Sequence, residues 1–396
     1  MPTKSGAQSA TSPALPRTLE PLRVAPVRTR RETTAFIRLP WRLYRDAPNW
    51  VPPLVFERRK HLSRKHNPFF EHAEAEYFIA WRGDEPVGRI TAHVDYRLDE
   101  EQGEPWGLFG FFECENDTET AGALLAAAED WLRERDRPFM RGPFDFTTNH
   151  ECGLLVDGFE LRPQILENWH HPYYAELLAA HGYEKEVDLL KWQILVEEFH
   201  RVNPVIYELA DKLEEEHGIR IRNMRRRHFT DEVRRFMDVY NTAWQSNWGF
   251  VGLTDHELED FAKQLRPLLD ERWAYAAETR GGNTAGAALS LPDYNFVLSA
   301  IGNGRLLPFG WVRALRAKRT INEIRVFALG VKKDFRHTGT AAGLYARTWD
   351  TMRAEGIYRM EAGWILEGNE PMNRAMVALG GDVVKRYRIF GKALTA

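Results

Sequence analysis

The chain has 396 residues, of which 43% are hydrophobic and 28% are charged, and its formal net charge is -3. This length favours two domains over one, and the composition excludes a disordered chain. Acidic and basic residues are interleaved, so neither a nucleic-acid partner nor a membrane partner is expected. The only cysteines, Cys114 and Cys152, are too few for a disulfide framework and lack metal-ligand spacing, so no metal site is expected.

Residues 1–26 are rich in Ser, Thr, Ala and Pro and contain no apolar signal-peptide core, so we expect a disordered tail. No apolar run of about 18 residues or more follows, and we expect a cytoplasmic protein. Residues 27–31 predict a short strand and residues 34–44 a helix, because apolar side chains recur there at helical spacing. A basic connector punctuated by proline occupies residues 51–67.

Strands and helices alternate along the rest of the first half. The pattern predicts strands at 76–81, 86–94, 106–114, 139–146 and 183–196, and helices at 118–135 and 172–181. Residues 149–171 have no clear period and are interpreted as an insertion. We therefore assign residues 27–197 to one α/β (α+β) domain.

The second half, residues 198–396, repeats this order. The pattern predicts strands at 220–227, 273–279, 285–291, 324–331, 358–366 and 383–390, and helices at 230–244, 255–269, 340–354 and 371–379. The shared order indicates an ancient duplication, with two tandem domains that each contain a mixed sheet flanked by helices.

The segment with the clearest chemistry is the turn between the strand at 324–331 and the helix at 340–354. A strand that feeds a tight turn and a helix aims several backbone N–H groups at one spot, which suits a phosphate. Gly339 lets the backbone approach the anion, Ala341 leaves the helix start uncrowded, and Arg336 adds a charge-assisted contact. The neighbouring residues predicted to contact the same ligand are His337, Thr338 and Thr340.

This segment resembles the coenzyme A pyrophosphate loop of the GNAT (GCN5-related N-acetyltransferase) superfamily, which reads Gln/Arg-x-x-Gly-x-Gly/Ala after a strand ending in Val. Arg336, Gly339 and Ala341 match that loop, and Val331 matches the strand end. The resemblance implies two tandem GNAT-like domains with centrally splayed sheets. It further implies that acetyl-coenzyme A (acetyl-CoA) lies between the strands at 324–331 and 358–366, with its pantetheine arm along Leu329 and Val331.

A second GNAT-like feature lies downstream, where a strand leads to Asn369, a short helix and the sequence Leu379-Gly380-Gly381. The resemblance assigns Asn369 to the coenzyme A site. At two positions the chain departs from the family: Met376 stands where a Tyr commonly protonates the departing thiolate, and Arg325 stands where some members have a Glu base.

An amine is almost wholly protonated at neutral pH, so acyl transfer needs a base or a chain of water molecules that carries the proton away. Glu361 and Glu323, on the two paired strands, are the candidate bases, although either could be an ion-paired structural carboxylate. The candidate acids are Tyr345, Tyr358 and Tyr387, each of which could equally be a core or rim aromatic.

The first half lacks the phosphate loop, because residues 113–117 lead into their helix with acids that would repel a pyrophosphate. One coenzyme A site per chain is therefore expected. The insertion could shape an acceptor site or act as a structural flap. Its polar and aromatic residues, with those beside it, are Asp145, Asn149, Glu151, Cys152, His170, His171, Tyr173 and Tyr174.

The function predicted from these features is that of a GNAT-family N-acyltransferase, which moves an acyl group, expected to be acetyl, from coenzyme A to a small-molecule or peptide amine. Two alternatives stay open: a catalytically silent acyl-coenzyme A-binding module, favoured by Met376, and a tandem-GNAT aminoacyl transferase that uses aminoacyl-tRNA. The intact loop argues against the second alternative, since such transferases have no need of it. The sequence does not predict the acceptor or the oligomeric state.

Overall fold

The computed structural model describes residues 20–245 and 247–394. Within that part of the chain, the first half contributes seven strands: β1 (Leu22–Pro26), β2 (Ala73–Arg82), β3 (Glu85–Asp95), β4 (Gly107–Cys114), β5 (Phe139–Gly142), β6 (Leu154–Asp157) and β7 (Glu184–Leu195). The helices between them are α1 (Arg30–Leu43), α2 (Val55–His61), α3 (Tyr96–Gln102), α4 (Thr118–Arg133) and α5 (Tyr173–Ala180). The region predicted as an insertion thus carries one strand, β6.

The second half of the chain contributes six strands over the same described range. They are β8 (Ile219–Asn223), β9 (Ala274–Thr279), β10 (Thr284–Pro292), β11 (Glu323–Val331), β12 (Arg359–Leu366) and β13 (Asp382–Ala393). The helices are α6 (Val205–His217), α7 (Phe229–Trp244), α8 (Asp255–Leu265), α9 (Asn295–Ile301), α10 (Gly310–Ala317), α11 (Thr340–Glu355) and α12 (Glu370–Ala378). The predicted α/β class and the repeated order of elements are confirmed.

The two halves share one mixed sheet and exchange their last strands. The strand order is β1-β2-β3-β4-β5-β13-β7-β12-β11-β10-β9-β8, and β6 pairs with β13 outside this path. β13 of the second half pairs with β5 of the first half, whereas β7 of the first half pairs with β12 of the second. The predicted boundary at 197/198 therefore separates the two repeats along the sequence. In the structure, strands from both sides of this boundary belong to the same sheet.

The N-terminal region differs from the prediction. Residues 27–31 do not form a strand, because β1 ends at Pro26 and α1 begins at Arg30. Thr29 caps that helix: its hydroxyl accepts from Glu32 N at 3.2 Å, and the Glu32 carboxylate accepts from Thr29 N at 2.8 Å. The disordered tail predicted for 1–26 is wrong for residues 22–26, which pair with β2; residues 1–19 lie outside the described part. The connector at 51–67 contains α2, which was not predicted.

β11 and β12 are parallel and diverge halfway along their length. They pair only from Glu323 with Arg359 to Val326 with Ala362. Beyond that point β11 stays paired with β10, where Phe327 forms a bulge, and β12 stays paired with β7. The central splay predicted from the GNAT resemblance is confirmed, and it opens a V-shaped gap in the sheet.

Helices cover both faces of the sheet in the second half. Side chains of successive strand residues point to opposite faces, and in β9 Tyr275 joins the core cluster under α6 and α11 while Ala276 joins the cluster under α7 and α8. The V-shaped gap therefore connects two separately packed layers. No helix in residues 20–245 or 247–394 is long and apolar enough to cross a bilayer.

Candidate functional site

A cavity of about 790 Å³ passes through the V-shaped gap. In the gap itself its walls include Leu329 of β11 and Trp364 of β12, and on the α11 side they include Tyr345 and Met376. On the opposite face the cavity continues between α7, α8 and α9. Because the cavity crosses the sheet, two ligands that enter from opposite faces would meet in the gap.

The wall beyond the gap is largely hydrocarbon. Its apolar side chains come from the insertion, from α7 to α9 and from the turn after α9, and they are Ile165, Phe236, Met237, Phe261, Leu265, Leu268, Val297, Leu298, Ile301 and Leu306. Such a surface binds an apolar chain by removing it from water, at about 0.8 kcal/mol per buried CH₂. This arm of the cavity is suited to an alkyl chain.

Two histidines of the first half reach the cavity wall. The rings of His61 and His150 lie with their centroids 4.7 Å apart. His61 Nε2 lies 3.2 Å from the carbonyl oxygen of Asp145, and His150 Nδ1 lies 3.1 Å from Thr147 Oγ1. Burial lowers the pKa of His150 and takes the pKa of His61 well below its ordinary value. Both imidazoles are therefore neutral at neutral pH. In each ring, the nitrogen that does not make the contact given above is the second possible proton acceptor or donor.

A buried and a partly buried carboxylate next to these histidines share one guanidinium. Arg58 Nη1 lies 3.4 Å from Asp145 Oδ2, and Arg58 Nη2 donates to Glu151. Burial opposes ionisation of Glu151, but the charge of Arg58 outweighs it and lowers the pKa of Glu151. Burial raises the pKa of Asp145, and the negative charge of Glu151 adds to that rise. Glu151, which lies on the cavity wall, is the ionised member of this pair.

The two carboxylates predicted as bases have structural partners. Glu361 is unexposed, with Lys385 Nζ at 2.6 Å and Arg359 Nη1 at 3.6 Å. Glu323 is paired with the guanidinium of Arg359. Neither carboxylate lines the cavity. Because buried cations neutralise both groups, the geometry does not favour either as the base that deprotonates an amine.

Arg325, which replaces a family Glu, ties the insertion to the sheet. Its guanidinium donates to the carbonyl oxygen of Leu166 at 2.9 Å and lies 3.5 Å from Glu167. The same group lies 4.9 Å from the ring centroid of Trp364. A carboxylate at this position could make none of these contacts, so the departure from the family pattern has a structural reason.

Among the three tyrosines proposed as acids, Tyr345 is the one that lines the cavity within the described residues. Its hydroxyl donates to Met372 Sδ at 3.8 Å. Tyr387 donates to the carbonyl oxygen of Asn168 at 3.0 Å and packs against Trp364. Tyr358 is 45% exposed and immediately precedes β12.

The predicted phosphate loop has the local geometry that anion binding requires. α11 begins at Thr340 as predicted, and Gly339 has φ +79°, a value that favours glycine. The first helical hydrogen bond runs from Gly343 N to Gly339 O, so the N–H groups of residues 340–342 have no acceptor within the helix. Arg336 and His337 are exposed beside them.

Other residues predicted for the coenzyme A site stabilise its backbone. The hydroxyls of Thr338 and Thr340 lie 2.7 Å apart, and Thr338 donates to the carbonyl oxygen of Phe335 at 2.7 Å. Asn369 caps α12, because its side-chain oxygen accepts from Met372 N at 3.3 Å, and it also lines the cavity. Ala341 is partly buried against the α11 core, and Val331 and Leu329 lie on the unpaired edge of β11.

The insertion residues fall into two groups. Asn149, Glu151 and Cys152 line the cavity, and Tyr240 of the second half donates to Asn149 Oδ1 at 2.6 Å. The rest bond within the first half. Asp145 accepts from Phe111 N at 3.1 Å, and the Tyr174 hydroxyl lies 3.1 Å from Glu113 Oε2. His170, His171 and Tyr173 bond to backbone atoms. Part of the insertion therefore lines the cavity and part is bonded to the first half, while the acceptor-site interpretation stays a prediction.

The repeated order, the splayed strands and the turn before α11 define a tandem GNAT-like protein. Similar structures are a tandem GNAT protein from the clavulanic acid biosynthesis pathway (TM-score 0.55, 14% identity, 95% of this chain and 99% of that chain) and a GCN5-related N-acetyltransferase from Sphaerobacter thermophilus (TM-score 0.51, 14% identity, 95% and 96%). No protein-family model matches the sequence.

The chain belongs to the family of the bacterial ceramide synthase of Caulobacter vibrioides, with which it is 37% identical over 383 residues, 94% of this chain and 98% of that protein. It is also 34% identical to protein YghO of Escherichia coli over 366 residues, and this match covers 91% of this chain and 92% of that protein.

Proposed function

We propose that the protein is an acyl-coenzyme A-dependent N-acyltransferase that forms a ceramide-type amide between a long acyl chain and a long-chain amino alcohol. The observation that carries this proposal is the apolar cavity of about 790 Å³ that crosses the sheet at the splayed strands. A site of this volume encloses most of a sizeable ligand, whereas the acetyl group expected from the sequence needs little of it. The name of the Caulobacter relative supports the same substrate class.

Coenzyme A fits the α11 face of the gap. Its pyrophosphate would be held by the N–H groups of residues 340–342 and by the guanidinium of Arg336, and Gly339 leaves room for the close approach. Its pantetheine arm would pair with the free edge of β11 beyond Val326. This placement brings a thioester to the gap between Leu329 and Trp364, where the cavity passes through the sheet.

The acceptor amine would enter from the opposite face and lose a proton to the histidine pair. Neutral imidazoles accept protons, and His150, with its lowered pKa, stays neutral throughout the physiological range. The ionised carboxylate of Glu151 stabilises the imidazolium that forms. The ammonium form first gives one proton to solvent; the neutral amine nitrogen then bonds to the thioester carbon, the carbon–sulfur bond breaks, and a second proton leaves the nitrogen for the histidine pair.

The departing thiolate needs a proton donor, and Met376 cannot supply one. Tyr345 lies on the same wall of the cavity, with its hydroxyl directed at the sulfur of Met372. We assign it the role of general acid. Met376 at the usual Tyr position is also the observation that favours the second candidate, a silent acyl-coenzyme A-binding module, in which no donor would be needed.

A turnover assay with the purified protein separates these functions. Acetyl-, octanoyl- and palmitoyl-coenzyme A would each be offered with a long-chain amino alcohol, with ethanolamine and with a short peptide. Thiol release and mass spectrometry of the amide would be the readouts. We expect kcat/KM to rise with chain length on both substrates. Preference for acetyl-coenzyme A with a short amine would contradict the proposal, and binding without turnover would favour the silent module.

A further inference from the structure

The turn before α10 and the helix itself expose large apolar side chains. Leu307 is 75% exposed, Phe309 71%, Trp311 50% and Leu315 60%. On the adjacent α2, Phe56 is 57% exposed. Single exposed apolar residues are normal on protein surfaces, but a contiguous group of this kind marks an interaction site.

The same segment is strongly basic. Residues 294–322 contain no Asp or Glu, although the whole chain has a net charge of -3. The five cations of this stretch are all exposed, and they are Arg305, Arg313, Arg316, Lys318 and Arg319. A local positive charge of this size, mixed with Trp, Phe and Leu, complements an anionic lipid surface.

The segment is held against the first half. Val55 N donates to the carbonyl oxygen of Gly304 at 3.0 Å, and Trp41 Nε1 donates to the carbonyl oxygen of Gly302 at 3.0 Å. These contacts keep Phe56 next to the turn, so the exposed side chains of α2 and of the turn before α10 belong to one surface. We call residues 305–319 with Phe56 the basic apolar surface.

The basic apolar surface adjoins the entrance of the large cavity. Leu306, next to the exposed Leu307, lines the cavity, and so does the exposed Phe56. A molecule that leaves a bilayer at this surface would therefore reach the apolar arm of the cavity without crossing water. This continuity favours a lipid surface over a protein partner, because a bilayer can supply an apolar chain to the entrance that it covers.

We propose that the basic apolar surface docks the protein onto the surface of an anionic phospholipid bilayer, with Leu307, Phe309 and Trp311 inserted at the headgroup boundary. The sequence-based expectation of no membrane partner rested on the overall charge, which hides this local patch. The proposal goes beyond the proposed function, because docking is measured without any turnover.

Vesicle flotation of the full-length protein tests this docking. We expect the wild type to float with vesicles of phosphatidylcholine and phosphatidylglycerol, and to float much less with phosphatidylcholine alone or in high salt. The variant Phe309→Ser/Trp311→Ser and the variant Arg313→Glu/Arg316→Glu should each lower the partition coefficient by at least about tenfold. All four side chains are exposed or half exposed, so neither variant should disturb folding.

The matched controls are Val377→Ser, which removes a 62% exposed apolar side chain on α12, and Arg234→Glu on α7, whose side chain is 74% exposed. Both should float like the wild type. Failure of the wild type to bind anionic vesicles, or binding by both double variants as strong as that of the wild type, would overturn the proposal. A dimer in analytical ultracentrifugation that Phe309→Ser/Trp311→Ser dissolves, without vesicle binding, would assign the surface to self-association instead.

Discussion

The ammonium nitrogen of Lys385 lies 2.6 Å from Oε2 of Glu361, and both side chains are unexposed. The pair belongs to a buried network in which Lys385 also lies 3.8 Å from Glu167, and Glu167 in turn pairs with Lys191. Lys191 and Glu167 come from the first half of the chain, whereas Lys385 and Glu361 come from the second. The network therefore sits where the exchanged strands β7 and β13 meet.

Replacing Glu361 with Gln should destabilise the fold. Lys385, Lys191 and Arg325 would then share Glu167 as their carboxylate, while Arg359 keeps its pair with Glu323. Breaking a buried pair in this way costs about 3–5 kcal/mol. Chemical denaturation should detect this loss, and Lys385→Met in the same chain should recover part of it. Glu370→Gln, at an exposed site on α12, is the control. Unchanged stability together with a large loss of kcat would return Glu361 to the role of base.

His150→Gln tests the proposed base. The substitution keeps a polar side chain of similar reach but removes the proton acceptor, and we expect kcat to fall by about 10²–10⁴-fold. Burial lowers the pKa of His150. The acid limb of the wild-type pH profile should therefore lie below the ordinary histidine value, with activity retained as the pH falls to that limb. The exposed His217→Gln should leave both unchanged. If His150→Gln is fully active, His61 or a water chain must accept the proton.

Tyr345→Phe removes one hydroxyl from the cavity wall while keeping the ring that packs under the sheet. If this hydroxyl protonates the departing thiolate, kcat should fall by about 10²-fold or more, with little change in the dissociation constant of coenzyme A. Burial raises the pKa of Tyr345, so the phenol is protonated at all working pH values. Tyr358→Phe is the matched control. Equal losses in both variants would show that neither phenol has the specific role.

Much of the fold could be predicted because it is encoded locally. The alternation in β9 to β11 and the glycines at 281–282 and 380–381 predicted elements that the structure reproduces within a few residues. The exchange of β7 and β13 could not be predicted in this way. The side-chain patterns of the two strands indicate which residues face the core, but they do not reveal which neighbour each strand pairs with.

In the candidate site, too, local features could be predicted from the sequence and long-range contacts could not. The turn from Arg336 to Ala341 could be proposed from the sequence because all its parts are adjacent. His61 and His150 were missed, since one ends a short helix inside a connector and the other lies in an aperiodic segment. Only the packing of α2 against the loop after β5 brings their rings together. The sequence left open whether Glu361 is a base or an ion-paired carboxylate, because its partner Lys385 lies on a different strand.

Arg336→Glu tests the coenzyme A site. A charge-assisted contact to phosphate contributes about 1.5–3 kcal/mol, so its reversal should raise the dissociation constant of coenzyme A by about 10–100-fold, as measured by calorimetry. Within residues 20–245 and 247–394, the exposed side chain makes long contacts of 3.4 Å and 3.3 Å to backbone carbonyls, so stability should hardly change. Arg234→Glu carries the same charge change away from the loop. Equal affinity in the two variants would place the pyrophosphate elsewhere.

The last prediction concerns His72, which links the halves. His72 Nδ1 lies 2.9 Å from Asp95 Oδ1, and Nε2 lies 3.2 Å from Glu257 Oε1 on α8 of the second half. Burial by itself would lower the pKa of His72, but the two carboxylates outweigh it and raise the pKa to about 9. The imidazole therefore binds its proton more tightly in the folded state than in the unfolded chain.

Because the folded pKa lies above the unfolded value of 6.5, this stabilisation is fully present below pH 6.5 and is lost as the pH rises through about 9. The free energy of unfolding should decrease by up to about 3 kcal/mol over this interval. His72→Gln should be less stable than the wild type near pH 6 and nearly equal to it above pH 9, as urea denaturation at both values would show. His217→Gln should follow the wild type throughout. A His72→Gln deficit that is the same at both pH values would mean that His72 contributes packing alone, without the charged link to Glu257.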